Sequence, residues 1–169
     1  MSAIAAPLLH APARWSIAAE TLRGALLWLL GFSGAFVFIE PSPYEIVGIL
    51  AILLFAVSGL TLRAALVPLL LGLILLDLGY ATAVVQVSDQ AKPVLWVMIS
   101  AFLAATAVFY AAAIAADAQG RLAWLMAGML AAALVAALLA VAAYFHLAGG
   151  SLDMLLLYGR ARGTFNDPN

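Results

Sequence analysis

Five long runs of apolar residues, separated by short polar breaks, constrain this 169-residue chain more than any other feature. A transmembrane helix needs about 20 mostly apolar residues, because each residue adds about 1.5 Å and the hydrocarbon core of a bilayer is about 30 Å thick. The pattern therefore predicts an all-α, polytopic membrane protein in which residues 1–169 form a single transmembrane domain. We expect five transmembrane helices of a larger helical bundle, over residues of about 22–39, 44–62, 64–87, 93–116 and 122–145.

The composition excludes several other classes of protein. Hydrophobic residues make up 67% of the chain and charged residues only 9%, whereas roughly a quarter of a soluble domain is charged. A net charge of −1 gives no attraction to nucleic acid, so the expected surroundings are membrane lipid. The chain has no cysteine, and its two histidines, His10 and His146, lie too far apart to suggest a metal site. We therefore predict no metal and no other cofactor.

The break between the first two runs carries a signal for the start of a helix. Ser42 can serve as the N-cap, Pro43 suits the first helical position, and Glu45 can reach back to the cap. The break contains no small-residue cleavage site. The first run is therefore predicted to be an uncleaved membrane anchor, with Arg23 reaching from its start towards the membrane surface.

Two further local patterns bear on helix ends and helix packing. A single helix over the second and third runs would be about 60 Å long, twice the bilayer core. Gly59, Arg63 and Pro68 therefore predict a tight turn between them. In the fifth run, Gly128 and Ala132 have the small-xxx-small spacing that lets membrane helices approach closely, although an alanine-rich sequence also produces this spacing by chance.

An acidic residue, Asp77, lies near the middle of the third run. An ionisable group at such depth costs at least a few kcal/mol, so it is a candidate functional residue. One interpretation is a protonated or hydrogen-bonded Asp77 that fixes helix packing, with Tyr80 one turn later as its partner. The other is a proton or ion relay in a small transporter or channel subunit.

The carboxyl-terminal segment is the most polar part of the chain. Residues 151–158 predict a short amphipathic helix that lies in the membrane interface, with Ser151 as its cap. This segment follows His146, which lies where the fifth run meets the outer interface and is compatible either with contact to lipid headgroups or with a role as a general base.

Beyond that segment, Arg160 and Arg162 are two residues apart, so in an extended backbone both side chains point the same way. Guanidinium groups bind phosphate oxygens in pairs. Gly163 allows a backbone amide to approach the same anion, and Thr164 and Asn169 add hydrogen-bonding side chains. These five residues form a candidate phosphate-binding site. The alternative is a basic juxtamembrane anchor followed by a polar loop.

Two short motifs resemble a known family. Residues 160–169, Arg-Ala-Arg-Gly-Thr-Phe-Asn-Asp-Pro-Asn, resemble a signature of the O-antigen ligase and polysaccharide polymerase superfamily, with Arg160 or Arg162 in the place of the family arginine. Residues 40–45, Glu-Pro-Ser-Pro-Tyr-Glu, resemble the branch of that family linked to exopolysaccharide production. The two motifs cover 16 residues, and the rest of the likeness is a pattern of apolar runs.

The resemblance implies a glycosyltransferase that moves glycans from undecaprenyl diphosphate to an acceptor hydroxyl in cell-surface polysaccharide biosynthesis. The arginines would hold the diphosphate and neutralise the charge of the leaving group, and a base that the sequence does not identify would activate the acceptor. Members of this family have more spans and a large external loop, so the resemblance implies that residues 1–169 are an amino-terminal fragment, inactive alone. A transporter and a non-catalytic membrane adaptor remain as alternatives.

The orientation is predicted from the lysines and arginines of the breaks. Four arginines fall on the amino-terminal side and, once Arg160 and Arg162 are set aside as ligand-binding, one lysine falls on the other: Arg14, Arg23, Arg63 and Arg121 against Lys92. We therefore expect a bacterial inner-membrane protein with a cytoplasmic amino terminus and a periplasmic carboxyl-terminal motif.

Overall fold

The computed structural model of the protein describes residues 13–37, 41–87, 91–147, 149–157, 160–161 and 164. Its five α-helices are α1 (Ala13–Ser33), α2 (Pro43–Val57), α3 (Val67–Val84), α4 (Ala91–Ala116) and α5 (Ala118–Tyr144). Short 3₁₀ turns cover Ala64–Leu66 and Asp153–Leu155. Two short strands, β1 (Leu156–Leu157) and β2 (Arg160–Ala161), pair in antiparallel fashion.

Three helical segments in the described part of the chain are long and apolar enough to cross a membrane: Ala64–Val84, Ala91–Ala116 and Ala118–Tyr144. They correspond to the third, fourth and fifth predicted spans, so the helical membrane class is confirmed but the number of five spans is not. The other two helices fall short for different reasons. α1 includes the charged residues Glu20 and Arg23, and α2 has only 15 residues and is about 22 Å long.

The predicted start of α2 is confirmed. The helix begins at Pro43 with Ser42 as its N-cap, and the Glu45 carboxylate accepts a hydrogen bond from the Ser42 backbone N–H at 3.2 Å. The predicted break after α2 is also present, with Gly59 at a φ of +94°, a conformation that favours glycine. Pro68 lies inside the first turn of α3 rather than in the break.

The predicted interfacial helix over residues 151–158 is wrong. The segment contains one 3₁₀ turn, Asp153–Leu155, and then becomes extended in β1. The physical reason is that Leu155 packs against the protein and not lipid: it is 7% exposed where the segment lies along α5. The positive φ values of Gly149 and Gly150 turn the chain back after α5, before a second helix can start.

The strongest packing in the bundle is between α1 and α5, which are about 100 residues apart in the chain. Glu20 pairs with Arg121 at one end of the two helices, and Ala35 packs with Ala132 towards the other. The two helices are therefore parallel. Gly128 makes this contact possible, because a Cβ on it would lie only 2.8 Å from the carbonyl carbon of Trp28. The predicted close approach at Gly128 and Ala132 is confirmed.

The other helices pack around this pair. α2 packs on α1, and α4 contacts α2, α3 and α5. The core is closed by Phe55 of α2 and Phe109 of α4, whose rings meet edge to face at 5.2 Å. α3 lies outermost and contains no buried residue. We call the end of the bundle that holds Glu20 and Arg121 the arginine end, and the opposite end, where β1 and β2 lie, the hairpin end.

Candidate functional site

At the hairpin end, the residues that follow α1 contact one residue from each of the two motif segments, Thr164 and Tyr44. Thr164 is 1% exposed; its hydroxyl donates to the carbonyl oxygen of Ala35, and its own carbonyl accepts from the Val37 N–H at 3.1 Å. Tyr44, from the second motif, lies 3.7 Å from the position of a Cβ on Gly34. Thr164 and Tyr44 therefore lie against successive residues of the chain, Ala35 and Gly34.

Arg160 lies in β2 and is exposed to the surroundings of the protein. Its backbone neighbour across the hairpin is Leu157, so the strand pairing fixes the direction of the backbone at this arginine. The other predicted site residues Arg162, Gly163 and Asn169 lie outside the described residues. Whether Arg160 and Arg162 point the same way therefore stays a prediction.

Differences in helix length place the hairpin beside α5. The 27 residues of α5 make it about 40 Å long, against about 22 Å for the 15 residues of α2. Glu20 of α1 is level with Arg121 of α5 at the arginine end. Because α5 continues further from this pair than α1 does, it extends past α1 at the hairpin end. The hairpin packs along this extension and returns to the end of α1 through Thr164. The segment is thus fixed at both of its ends.

A histidine and an aspartate pair beside the hairpin. The Nδ1 atom of His146 lies 3.1 Å from Oδ1 of Asp153, and both side chains are more than half exposed. His146 has a φ of +51°, which is uncommon for a residue with a side chain. The pair closes the turn between α5 and β1. Within the described residues, no group of three or more histidine, aspartate or glutamate side chains is placed to hold a metal ion.

Asp77 is hydrogen-bonded across the α3–α4 interface, but not to Tyr80 as predicted. Its Oδ1 atom accepts from the hydroxyl of Ser100 at 2.6 Å. Towards the hairpin end, a groove of about 530 Å³ between the two helices is lined almost entirely by apolar side chains, with Trp96 and Val84 on opposite walls. Asp77 therefore joins two antiparallel helices, as a packing role requires.

The arginine end holds an ion-pair cluster that the sequence pattern did not single out. Glu20 receives two hydrogen bonds from Arg121, at 2.7 and 3.1 Å, and one from Arg23 at 3.0 Å. Arg121 also donates to the carbonyl of Ala113 at 2.8 Å, and Arg23 donates to the hydroxyl and the carbonyl of Ser58. The cluster therefore ties α1 to the ends of α2, α4 and α5.

The electrostatics of this cluster favour the charged form of its carboxylate. The hydrogen bond from Arg121 holds the pKa of Glu20 below its usual value, against the opposite effect of burial. Arg121 and Arg23 also lie over the ring of Phe55, at 5.6 and 6.0 Å from its centre. Sequence reasoning used both arginines for the orientation of the protein and expected Arg23 to reach towards the membrane surface; it predicted no ion pair for either. The acidic partner one turn before Arg23 was the available signal.

Comparisons of the chain with protein-family models, with curated proteins and with solved structures find no match.

Proposed function

We propose that this protein takes part in cell-surface polysaccharide biosynthesis as a membrane-embedded glycosyltransferase of the O-antigen ligase or polymerase type. Its donor is a glycan carried on undecaprenyl diphosphate, and its acceptor is a sugar hydroxyl. The observation that carries the proposal is the anchoring of Thr164 to Ala35 and Val37, which ties the motif that contains Arg160 to the same stretch of chain that Tyr44 of the second motif contacts at Gly34.

The proposed site has the chemistry that a diphosphate donor requires. Arg160 and Arg162 hold the diphosphate and offset the negative charge that develops on it as the bond to the sugar breaks. The Thr164 hydroxyl already donates a hydrogen bond to the carbonyl oxygen of Ala35, so the role of Thr164 is to position the preceding residues. A general base takes the proton of the acceptor hydroxyl as the new glycosidic bond forms.

The proposed site also has a suitable position relative to the bilayer. We propose that α1 and α2 lie in the membrane with the three longer helices, because α2 presents exposed apolar side chains such as Ile46, Ile49 and Leu53 on its outer face. The hairpin end then lies at the periplasmic interface of a bacterial inner membrane. There a diphosphate headgroup reaches Arg160 while its isoprenoid chain stays in lipid.

A transporter that uses Asp77 is the second candidate, and the structure offers it little support. Such a function needs Asp77 in a water-filled path. Instead, Asp77 accepts a hydrogen bond from Ser100, and the adjacent groove is apolar. These contacts favour a role for Asp77 in holding α3 on α4.

The test is a double substitution, Arg160→Ala with Arg162→Ala, in the full-length protein, expressed in a strain that lacks the native gene. We expect surface polysaccharide to fall by at least about tenfold, because removing the charges that stabilise a leaving group costs several kcal/mol of barrier. Arg63→Ala is the matched control, because it removes one exposed arginine from the other side of the bundle. Unchanged polysaccharide in the double variant at normal protein level would refute the proposal.

A further inference from the structure

A small cavity opens beside the ion-pair cluster at the arginine end. It has a volume of about 160 Å³ and is lined by both arginines of the cluster, by Phe55, by Ala116 and by the turn after α2, residues 59–61. We propose that this cavity binds a phosphate group, as the headgroup of an anionic phospholipid. The proposal concerns the end of the bundle opposite to the glycan site and does not depend on the proposed function.

The first argument is the supply of hydrogen-bond donors. A guanidinium group has five N–H donors. Arg121 donates three hydrogen bonds, two to Glu20 and one to the carbonyl of Ala113. Arg23 also donates three, one to Glu20 and two to Ser58, at its hydroxyl and its carbonyl. Within the described residues, each arginine therefore keeps two N–H donors without an acceptor. Four donors from two guanidinium groups suit the several oxygens of one phosphate.

The second argument is charge. Two arginines share one carboxylate, so the cluster has a formal charge of +1. The carbonyl groups of Ser58 and Ala113, near the ends of α2 and α4, offset part of this charge as helix carboxyl termini do. The side chain of Arg121 is only 9% exposed and that of Arg23 24% exposed. Water therefore screens the remaining charge poorly, and a bound anion completes the compensation.

The third argument is shape. Gly59 has a left-handed backbone that turns the chain away from α2 and leaves space in front of the cluster. The guanidinium groups of both arginines lie over the ring of Phe55. The donors are thus held in place before any ligand arrives, which lowers the entropic cost of binding.

The source of the phosphate follows from the position of the cavity. It lies at one end of a bundle of apolar helices, where lipid headgroups are the most concentrated phosphates, and basic residues near the cytoplasmic surface attract anionic lipids. Free inorganic phosphate has the same chemistry. It binds in the same cavity only if binding does not also require contact between lipid tails and the protein.

The experiment is native mass spectrometry of the purified protein in detergent, titrated with phosphatidylglycerol, with phosphatidylcholine and with inorganic phosphate. Two variants remove the site in different ways. Arg23→Gln removes one guanidinium group, and Ala116→Leu fills the cavity without changing any charge. Arg63→Gln is the control: it makes the same change in charge as Arg23→Gln, at an exposed residue that does not line the cavity.

We expect phosphatidylglycerol to bind more tightly than phosphatidylcholine, and both site variants to weaken its binding by about tenfold while Arg63→Gln changes it by less than about twofold. Phosphate that binds alone, with the same sensitivity to both site variants, also supports the cavity but identifies the free anion as its ligand. Binding that survives Ala116→Leu, or that falls equally in Arg63→Gln, overturns the proposal. So does the absence of any preference for the anionic lipid.

Discussion

Among the Gly→Ala substitutions in α3 and α5, we expect Gly128→Ala to destabilise the bundle most. A Cβ at this position would lie 2.8 Å from the carbonyl carbon of Trp28 and closer still to its oxygen, whereas real Cβ contacts are essentially never shorter than 3.0 Å. The obstacle is the backbone of α1, which cannot rotate away as a flexible side chain can. The substitution therefore requires α1 and α5 to move apart.

The expected cost is about 2–3 kcal/mol, in the upper part of the range for overpacking a tight interface. It arises because separating the helices also loosens contacts along the rest of the pair, including that between Ala35 and Ala132. Gly79→Ala in α3 is the matched control, since no atom lies within 4 Å of the added methyl group. There the higher helix propensity of alanine should leave stability unchanged or raise it by up to about 1 kcal/mol.

The measurement is reversible unfolding of both variants in mixed micelles, followed by tryptophan fluorescence. A Gly128→Ala variant as stable as Gly79→Ala would show that α1 and α5 do not meet at this glycine. The parallel arrangement of the two helices would then have to be abandoned.

Substitutions at four other residues probe the remaining contacts. Arg121→Ala should cost about 2 kcal/mol, less than the 3–5 kcal/mol typical of breaking a fully buried ion pair because Glu20 is 42% exposed; the same unfolding assay measures it. The pKa of Glu20 is lowered in the folded protein, so the stability that its pairing contributes is complete above about pH 4.5 and is lost as the pH falls through the lowered pKa. Glu20→Gln should lack this acid-dependent loss of stability. Thr164→Val should speed proteolysis between residues 147 and 164, because it removes the hydrogen bond that holds the hairpin to α1, and leave the unfolding midpoint of the bundle nearly unchanged. Asp77→Asn should preserve stability to within about 0.5 kcal/mol, because the amide oxygen still accepts from Ser100, whereas Asp77→Ala loses this bond.

Controls distinguish these effects from general loss of a polar group. Thr82→Val removes an exposed hydroxyl that bonds only within α3, to the carbonyl of Gly79, and should leave proteolysis of the hairpin unchanged. Ser100→Ala should destabilise as much as Asp77→Ala, and the double variant little more than either, because both remove the same hydrogen bond. Additive losses would show that the two side chains do not interact.

The candidate glycan site was predicted only in part from the sequence. The spacing of Arg160 and Arg162 indicated a phosphate-binding segment, in which the hydroxyl of Thr164 was expected to be a further ligand group. In the structure, Thr164 anchors the segment instead, because its hydroxyl is buried against the carbonyl of Ala35, just after α1. A hydroxyl that binds a ligand and one that anchors a segment look identical in a sequence, since the difference lies in what packs against them.

The failed prediction of an interfacial helix has a related cause. Leucines at positions 152, 155 and 156 match an amphipathic pattern when the only apolar environment considered is lipid. The end of α5 provides a second apolar surface, and the segment that contains Leu155 packs on it. That surface is available because α5 extends past the end of α1, its main partner.

The sequence by itself determined the membrane class, the approximate positions of α2 to α5, the N-cap of α2 at Ser42 and the turn at Gly59, whereas α1 begins nine residues before the predicted first span. These features depend on the hydropathy and backbone preferences of neighbouring residues, which can be read along the chain. The tertiary structure alone decided that α1 pairs with α5, that Glu20 meets Arg121, and where the hairpin lies. In lipid every apolar helix face is equally well solvated, so hydrophobicity does not select partners; the close fit of small residues and the pairing of polar groups do.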